Sequence, residues 1–312
     1  MTRRRLVVVL LAAVVAIGVA GIAVLPGEAS DDDAATTTAP TVAAPTSTTT
    51  TSPPTTTTTV PLPPLPAGGL HNGSQGPEVL AFEERLVQRH YDPGDVDGKF
   101  DGETAFAVMA LEKVAGMEPT GRVEPPVWEA LATIPDPAPM LPDGGDERVE
   151  VDLVRQLLFL YNDGGLRLIS HVSTGSGKTY CSAGRCGKVA VTPGGSHRFL
   201  WRVNGWRKSR LGRLYNPVYF TKYGIAVHGF PSVPTSPASH GCVRIPMHTA
   251  EWFPGEVERG DPVYVFDGKG TPVLPLPPFE ETEAPVPEDA EGRLDGDPPP
   301  TSPTTEPAGQ LA

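Results

Sequence analysis

The chain has 312 residues, with 25 Lys and Arg against 37 Asp and Glu and a formal net charge of −12. This length provides for one or two modest domains. The acidic balance argues against nucleic acid as the main partner, because such a surface needs an excess of basic residues. Residues 271–312 hold nine acidic residues and one basic residue, Arg293, and so carry −8 of the −12. The negative charge therefore describes a tail and says little about a substrate.

The N-terminal segment has the pattern of an export signal. Three consecutive arginines, residues 3–5, precede an uncharged apolar run over residues 6–25. This run is long enough to span a bilayer, and its flanks suit an anchor that leaves the bulk of the chain outside the cytoplasm. Gly27 and Ala29 equally suit cleavage by signal peptidase. A cleaved signal peptide over residues 1–29 and a membrane anchor remain alternatives, and both place the rest of the chain outside the cytoplasm.

Composition divides the remainder of the chain. Residues 34–66 are almost entirely Thr, Pro, Ala and Ser, with too little apolar surface to offset the entropy of ordering, which predicts a disordered, solvated linker. Pro and acidic residues return at the C-terminal end. The predicted organisation after residue 29 is a disordered Thr/Pro-rich linker over 30–69, a helical segment over 70–135, a linker over 136–147, a β segment over 148–267, and a disordered acidic, Pro-rich tail over 268–312.

Apolar residues recur at helical spacing within residues 70–135 and predict three short helices. The three sets are Val79, Phe82 and Leu86; Ala105, Val108 and Leu111; and Val127, Trp128 and Leu131. Asp97 and Gly98 mark a tight turn between the first two helices. So few residues make a small bundle with a marginal core.

These residues resemble the peptidoglycan-binding domain type 1 family. Besides the apolar positions, the resemblance rests on Gly76, the stretch 96–100 (VDGKF), Thr104 and Gly121. Glu83 and Glu112 stand where the family usually has Gln. The resemblance implies a three-helix fold that binds peptidoglycan. The alternative is a spacer bundle that binds nothing, since a fold does not establish a function.

Residues 148–267 contain short β-rich runs broken by Gly and Pro. The stretches "VEVDLVRQLLFLY" and "LRLISHVSTG" flank the hairpin signal of residues 162–165 (NDGG), and "RFLWRV", "PVYF" and "GIAVHG" continue the pattern. No long amphipathic helix separates these runs. The pattern predicts a mainly antiparallel β domain and not a doubly wound α/β sheet.

The stretch "STGSGKT", residues 173–179, is interpreted as a glycine-rich turn. A P-loop needs Gly where this chain has Val172. Farther on, Cys181 and Cys186 are separated by turn-forming residues, and in an oxidising compartment they are predicted to form a local disulfide. A metal site there would want more ligands nearby. The third cysteine, Cys242, is left unpaired, which in an exported protein indicates a reagent or a defect.

Two nearby histidines favour a reactive role for Cys242. Cys242 follows "SHG", and His228 ends the strand-like "GIAVH". The thiolate is the nucleophilic form of cysteine, and a nearby imidazolium lowers the pKa of a thiol. Gly241 permits close approach of the backbone, so that peptide N–H groups can face a developing oxyanion. The alternatives are a buried structural thiol and a zinc site of His228, His240 and Cys242, which lacks a fourth ligand and metal-type spacing.

The pair "HG" and "SHGCVR" resembles the signature of the L,D-transpeptidase catalytic domain, the YkuD-like fold of exported cell-wall enzymes. The resemblance covers residues 148–267 and implies a mainly antiparallel β-sandwich, with "VEVDLVRQLLFLY" as its first strand. It implies that Cys242 is the nucleophile and that His228 accepts and donates the proton.

Five further residues take supporting roles by the same resemblance. The carbonyl of Gly229 orients the His228 ring, His240 and Gly241 line the oxyanion side, and Ser239 supports them. Arg244 fixes the loop or a substrate carboxylate.

The reaction that the resemblance implies is cross-linking of peptidoglycan. The thiolate attacks the carbonyl of the third residue of a donor stem peptide, D-alanine leaves, and an amine of an acceptor stem resolves the thioester. Neither cofactor nor metal is expected, and carbapenem-type β-lactams are expected inhibitors. The implied location is the cell wall. The alternatives are an L,D-carboxypeptidase that uses water as acceptor and, from another class, a wall-binding protein without activity.

Overall fold

The computed structural model describes residues 62–182, 184–272, 274 and 276. The predicted signal peptide or anchor, most of the Thr/Pro-rich linker and nearly all of the acidic tail lie outside the described residues. Within the described part of the chain, no helix is both long enough and apolar enough to span a membrane. All described residues belong to one compact unit.

The three predicted helices are confirmed: α1 (Pro77–Gln88), α2 (Gly102–Val114) and α3 (Pro125–Thr133). Pro residues begin α1 and α3, where a missing N–H costs nothing. Asp101 caps α2, because its Oδ1 accepts from the N–H groups of Glu103 (2.8 Å) and Thr104 (3.1 Å). The rings of Phe82 and Trp128 stack 5.3 Å apart and join α1 to α3.

Glu83 and Glu112, which stand where the family usually has Gln, are buried and brace loops of the bundle. Glu83 accepts from the backbone N–H of Gly98 (2.9 Å) and Glu112 from that of Gly121 (2.8 Å). A glutamine amide oxygen could accept both bonds, so the substitution keeps the geometry. Burial raises the pKa of both carboxyl groups.

The β segment forms two facing sheets and a separate hairpin. The first sheet has the order β3-β2-β1-β12-β6, and the second has the order β11-β10-β9-β7 with β8 also on β9. The hairpin is β4-β5. The strands are β1 (Arg148–Asp152), β2 (Leu157–Asn162), β3 (Gly165–His171), β4 (Thr179–Ser182), β5 (Arg185–Val189), β6 (Gly195–Arg198), β7 (Trp201–Arg202), β8 (Trp206–Ser209), β9 (Gly212–Tyr219), β10 (Ala226–Gly229), β11 (Val243–Ile245) and β12 (Pro262–Phe266).

The prediction of a mainly antiparallel β-sandwich is confirmed. Only β1–β12 and β10–β11 are parallel among the pairs of named strands in the described residues. Both sheets contribute to one buried core, with Leu158 from the first and Val218 and Val227 from the second. The predicted turn after β2 also forms: Asp163 and Gly164 both have positive φ (52° and 73°), as a type I′ hairpin requires.

Two features differ from the expectation. The stretch "VEVDLVRQLLFLY" is two antiparallel strands, β1 and β2, and not one. Asp152 ends β1, because its Oδ1 accepts from the N–H groups of Val154 and Arg155 (2.9 Å each), and Gln156 turns the chain at φ 56°. The second feature is the short helix α4 (Met247–Glu256), which packs on β9 and β10 although it contains Pro254.

The bundle and the β domain share a buried core. Leu157, Phe159 and Tyr161 of β2 pack with the helices, whereas Leu158 and Leu160 face the sandwich. Because successive strand residues point to opposite faces, β2 is buried on both. Residues 136–147, the predicted linker, contain no helix or strand but are held in place: the Tyr264 hydroxyl donates to the carbonyl of Gly144 (3.0 Å).

Candidate active site

Two parallel strands bring Cys242 and His228 together. In the register of β10 and β11, Val227 pairs with Val243 and His228 with Arg244. Cys242 directly precedes β11, so it lies at the end of the strand that neighbours His228. Both side chains line the same cleft, which has a volume of about 680 Å³.

His228 is buried and neutral. Its Nδ1 lies 2.9 Å from the carbonyl oxygen of Gly229. Because a carbonyl only accepts, Nδ1 carries the proton and Nε2 keeps its lone pair. Burial, with a smaller contribution from the positive charge of Arg244, lowers the pKa of His228 to about 4, against the opposing effect of the Gly229 hydrogen bond. The ring is thus in the form that can accept a proton.

The thiol of Cys242 is also neutral at rest. Burial raises its pKa to about 11, although a hydrogen bond from the Ala226 backbone and the charge of Arg244 both favour the thiolate. The sequence led to the expectation of a thiolate beside an imidazolium. Burial opposes that ion pair in the resting site, because it disfavours the charged form of both groups.

Ser239 braces the backbone around Cys242. Its hydroxyl donates to the carbonyl of Cys242 (2.6 Å) and accepts from the N–H of Gly241 (3.0 Å). Gly241 adopts φ 135°, and a Cβ there would lie 2.8 Å from the carbonyl oxygen of Val191. Only glycine fits this position without strain.

A disulfide hairpin forms one wall of the cleft. The predicted bond between Cys181 and Cys186 is present, and it closes β4-β5. Tyr180 of β4 meets the exposed ring of His240 edge to face, with centroids 4.8 Å apart. The position of His240, two residues before Cys242, is therefore tied to the hairpin.

Arg244 also lines the cleft. Its guanidinium stacks over the ring of Phe230 at 4.1 Å, an arrangement that fixes a planar cation. Arg244 therefore contributes its positive charge at a defined place beside both reactive groups.

Positive charge dominates the cleft. Among the described residues, its lining contains no Asp or Glu and six basic residues: Lys188, Arg207, Arg210, Arg213, Lys222 and Arg244. Such a cleft in an otherwise acidic chain attracts anionic groups. Of these basic residues, only Arg244 was predicted from the sequence. The four basic residues within residues 207–213 (RKSRLGR) indicated a positive cluster there as well.

Aromatic rings add a flat wall that the sequence analysis also missed. The rings of Trp201 and Tyr219 are stacked with centroids 3.5 Å apart, and both residues line the cleft. Among the residues that the structure describes, no group of three or more His, Cys, Asp or Glu side chains could hold a metal ion.

Comparison with known families agrees with both resemblances. The model of the L,D-transpeptidase catalytic domain, YkuD, matches residues 146–265. The model of a peptidoglycan-binding domain matches residues 75–131. No curated protein matches the chain at a comparable level.

Several solved structures are similar. An L,D-transpeptidase from Stackebrandtia nassauensis is 22% identical, covering 67% of this chain and 98% of that chain, with a TM-score of 0.37. L,D-transpeptidase 3 from Mycobacterium tuberculosis, in complex with a faropenem-derived adduct, is 20% identical, covering 38% of this chain and 60% of that chain, with a TM-score of 0.32. An L,D-transpeptidase from Xylanimonas cellulosilytica DSM 15894 is 36% identical, covering 65% of this chain and 100% of that chain, with a TM-score of 0.60. With this identity along the full length of the Xylanimonas structure, the chain belongs to the L,D-transpeptidase family.

Proposed function

We propose that this protein is an exported L,D-transpeptidase that cross-links peptidoglycan stem peptides through a thioester on Cys242. The observation that carries the proposal is that Cys242 and His228 line one cleft at neighbouring strands, with Nδ1 of His228 donating to the Gly229 carbonyl and Nε2 left to accept a proton. Both side chains open into the basic cleft. Stem peptides carry carboxylates, which suit this charge.

The first half-reaction transfers the donor stem to sulfur. As Cys242 Sγ forms a bond to the carbonyl carbon of the third stem residue, the thiol proton passes to Nε2 of His228. The negative charge then lies on the carbonyl oxygen. The bond to D-alanine breaks, the imidazolium of His228 protonates the departing amine, and a thioester remains. Starting from a neutral pair, this step needs no charge separation before the substrate binds.

The oxyanion needs donors that are not otherwise used. The N–H of Gly241 donates to the Ser239 hydroxyl, which leaves the N–H of Cys242 itself and the His240 side chain for the oxyanion. Arg244 then binds a carboxylate of the stem or holds the adjoining loop. Gly229 acts by orienting His228.

The second half-reaction regenerates the enzyme. A neutral amine of the acceptor stem attacks the thioester carbonyl and loses a proton to Nε2 of His228. The carbon–sulfur bond breaks, and Cys242 takes the proton back from the imidazolium. The alternative acceptor is water, which would make the protein an L,D-carboxypeptidase. The helical bundle would hold the enzyme on peptidoglycan, with the N-terminal segment as export signal or anchor.

Analysis of muropeptide products tests the proposal. Purified protein incubated with donor and acceptor stems should release D-alanine and form a cross-linked dimer, measured by mass spectrometry. Cys242→Ala should abolish both products, and His228→Ala should slow them on the order of a hundredfold, as expected for loss of a general base. Release of D-alanine with only the shortened stem as product would favour the carboxypeptidase. Full activity of Cys242→Ala would refute both.

A β-lactam of the carbapenem class provides an independent test. The strained amide of such a compound presents the same kind of carbonyl to Cys242. We expect its mass to be added to the wild-type protein and not to Cys242→Ala. Equal labelling of the two proteins would place the reactive group elsewhere.

A further inference from the structure

We propose that the helical bundle is a positioning part of the enzyme: Lys113 of α2, acting through His171, holds the loop over residues 230–239 that leads to the nucleophile. The inference rests on the proposed function, because the loop matters to catalysis only if Cys242 reacts. It assigns the bundle a second role besides retention on peptidoglycan.

Lys113 reaches out of the bundle into the β domain. It is 8% exposed, and its Nζ lies 2.9 Å from the carbonyl oxygen of Gln156 and 2.7 Å from Nδ1 of His171. Both partners belong to the β domain. Phe106, about two helical turns before Lys113 in α2, stacks on the His171 ring with centroids 5.7 Å apart and an interplanar angle of 18°. Helix α2 therefore holds His171 by its edge and by its face.

This contact fixes the tautomer of His171. Lys113 donates to Nδ1, so the ring proton lies on Nε2, which donates to the carbonyl oxygen of Val233 (2.8 Å). His171 is 1% exposed, and burial together with the charge of Lys113 lowers its pKa to about 3. The neutral His171 ring thus accepts a hydrogen bond from the bundle at Nδ1 and donates one from Nε2 to Val233, in the middle of the 230–239 loop.

The residues that follow His171 hold the same loop at two more points. The Ser173 hydroxyl donates to the carbonyl of Ser236 (2.8 Å), and the N–H of Ser239 donates to the carbonyl of Thr174 (2.9 Å). Residues 171–174 therefore form one clamp along the 230–239 loop.

The other partner of Lys113 supports this clamp. Gln156 accepts from Lys113 with its backbone carbonyl, and its side chain accepts from the N–H of Thr174 (2.8 Å) and donates to the Thr174 hydroxyl (2.8 Å). Lys113 thus contacts both ends of the clamp, at His171 and, by way of Gln156, at Thr174.

The last residue of the loop, Ser239, holds the backbone of Cys242 in place. Ser239, held by Thr174, donates to the carbonyl of Cys242. A displacement of the loop therefore moves the backbone that aims Sγ and the N–H of Cys242. Reaction rates respond steeply to shifts of about 1 Å at reacting atoms.

A purely structural role for Lys113 predicts something different. A side chain that only fills the interface can be replaced by an apolar one of similar volume with little effect on the neighbouring loop. Lys113→Met keeps the length and apolar stem of the side chain but removes both donated bonds. It separates the positioning role from simple filling of the interface.

The test compares full-length Lys113→Met with wild type and with Lys99→Met, an exposed bundle lysine paired with Asp97. Hydrogen exchange of the peptide over 230–239 should be faster in Lys113→Met, with exchange in α1 and β2 unchanged. The acylation rate at a saturating concentration of a carbapenem should fall about tenfold, with its half-saturating concentration changed less than about twofold. Lys99→Met should behave as wild type.

Two results would overturn the proposal: wild-type exchange in 230–239 with wild-type acylation, and protection lost evenly across bundle and sheets. If Lys113→Met does not fold, the same two measurements are made on Phe106→Leu. This variant removes the ring stacked on His171 and keeps an apolar side chain. A wild-type protein that is not acylated and releases no D-alanine would refute the proposed function instead. Exchange of the loop in the variants would then still decide whether Lys113 positions it.

Discussion

At the scale of single residues, the site is defined by what burial does to two titrating groups. Neighbouring positions in the sequence indicated a thiol beside an imidazole, and the structure places Cys242 and His228 in one cleft. Their protonation states could not be read from spacing, because burial opposes the charge on both groups and depends on distant parts of the chain. In the reaction that we propose, a neutral pair makes His228 a general base and not a permanent counter-ion.

Burial and, to a smaller extent, Arg244 set the pH dependence of this pair. The charge of Arg244 disfavours the imidazolium and so helps to hold the pKa of His228 near 4. Acylation by a carbapenem should therefore lose rate only in acid, as His228 takes up a proton. In Arg244→Met the pKa of His228 should rise, and the acid limb of the pH–rate profile for acylation should move to higher pH. Lys208→Met, an exposed change on β8 that does not line the cleft, should leave the limb in place. Identical limbs in all three proteins would contradict this account.

At the scale of elements, local patterns predicted what local physics decides. Periodicity identified α1, α2 and α3, and the NDGG sequence identified the turn between β2 and β3. The break between β1 and β2 was missed because it depends on hydrogen bonds of a single side chain, that of Asp152. Helix α4 was missed because its Pro254 argues against a helix, whereas packing on β9 and β10 stabilises one.

The β4-β5 hairpin gives an element-scale prediction. The double variant Cys181→Ser, Cys186→Ser removes the disulfide that closes the hairpin, and with it the support of Tyr180 against His240. For so short a loop the free energy of unfolding should fall by at most about 2 kcal/mol. KM for the donor stem should rise more than kcat falls, because the hairpin lines the cleft. Chemical denaturation and steady-state kinetics measure the two effects; unchanged KM with a large loss of kcat would contradict the assignment.

At the scale of the whole molecule, the chain joins a bundle of the peptidoglycan-binding type to a sandwich of the L,D-transpeptidase type through one core. The sequence predicted the two folds but not their junction, since β2 presents Phe159 and Tyr161 to helices that precede it by many residues. A strand buried on both faces has the same apolar run whether a sheet or a bundle covers it. Spacing alone therefore could not distinguish the two.

The distribution of charge predicts a response to salt. The cleft is basic although the formal net charge of the chain is −12. Salt screens exposed charges, with a screening length of about 8 Å at physiological ionic strength. At high salt, kcat/KM for a stem with free carboxylates should therefore fall about three- to tenfold. Arg210→Gln should reduce this dependence and Lys208→Gln should not. A rate independent of salt in the wild-type protein would contradict a role for the cleft charge.

The central claim is that Cys242 carries the donor stem as a thioester before an amine takes it. Its most direct test is the intact mass of the full-length protein mixed with donor stem and quenched rapidly in acid, followed by peptide mapping. We predict an added mass equal to the donor minus D-alanine, located on Cys242, lost on addition of acceptor amine and absent from Cys242→Ala. An adduct on another residue, or D-alanine release by Cys242→Ala at the wild-type rate, would contradict the account.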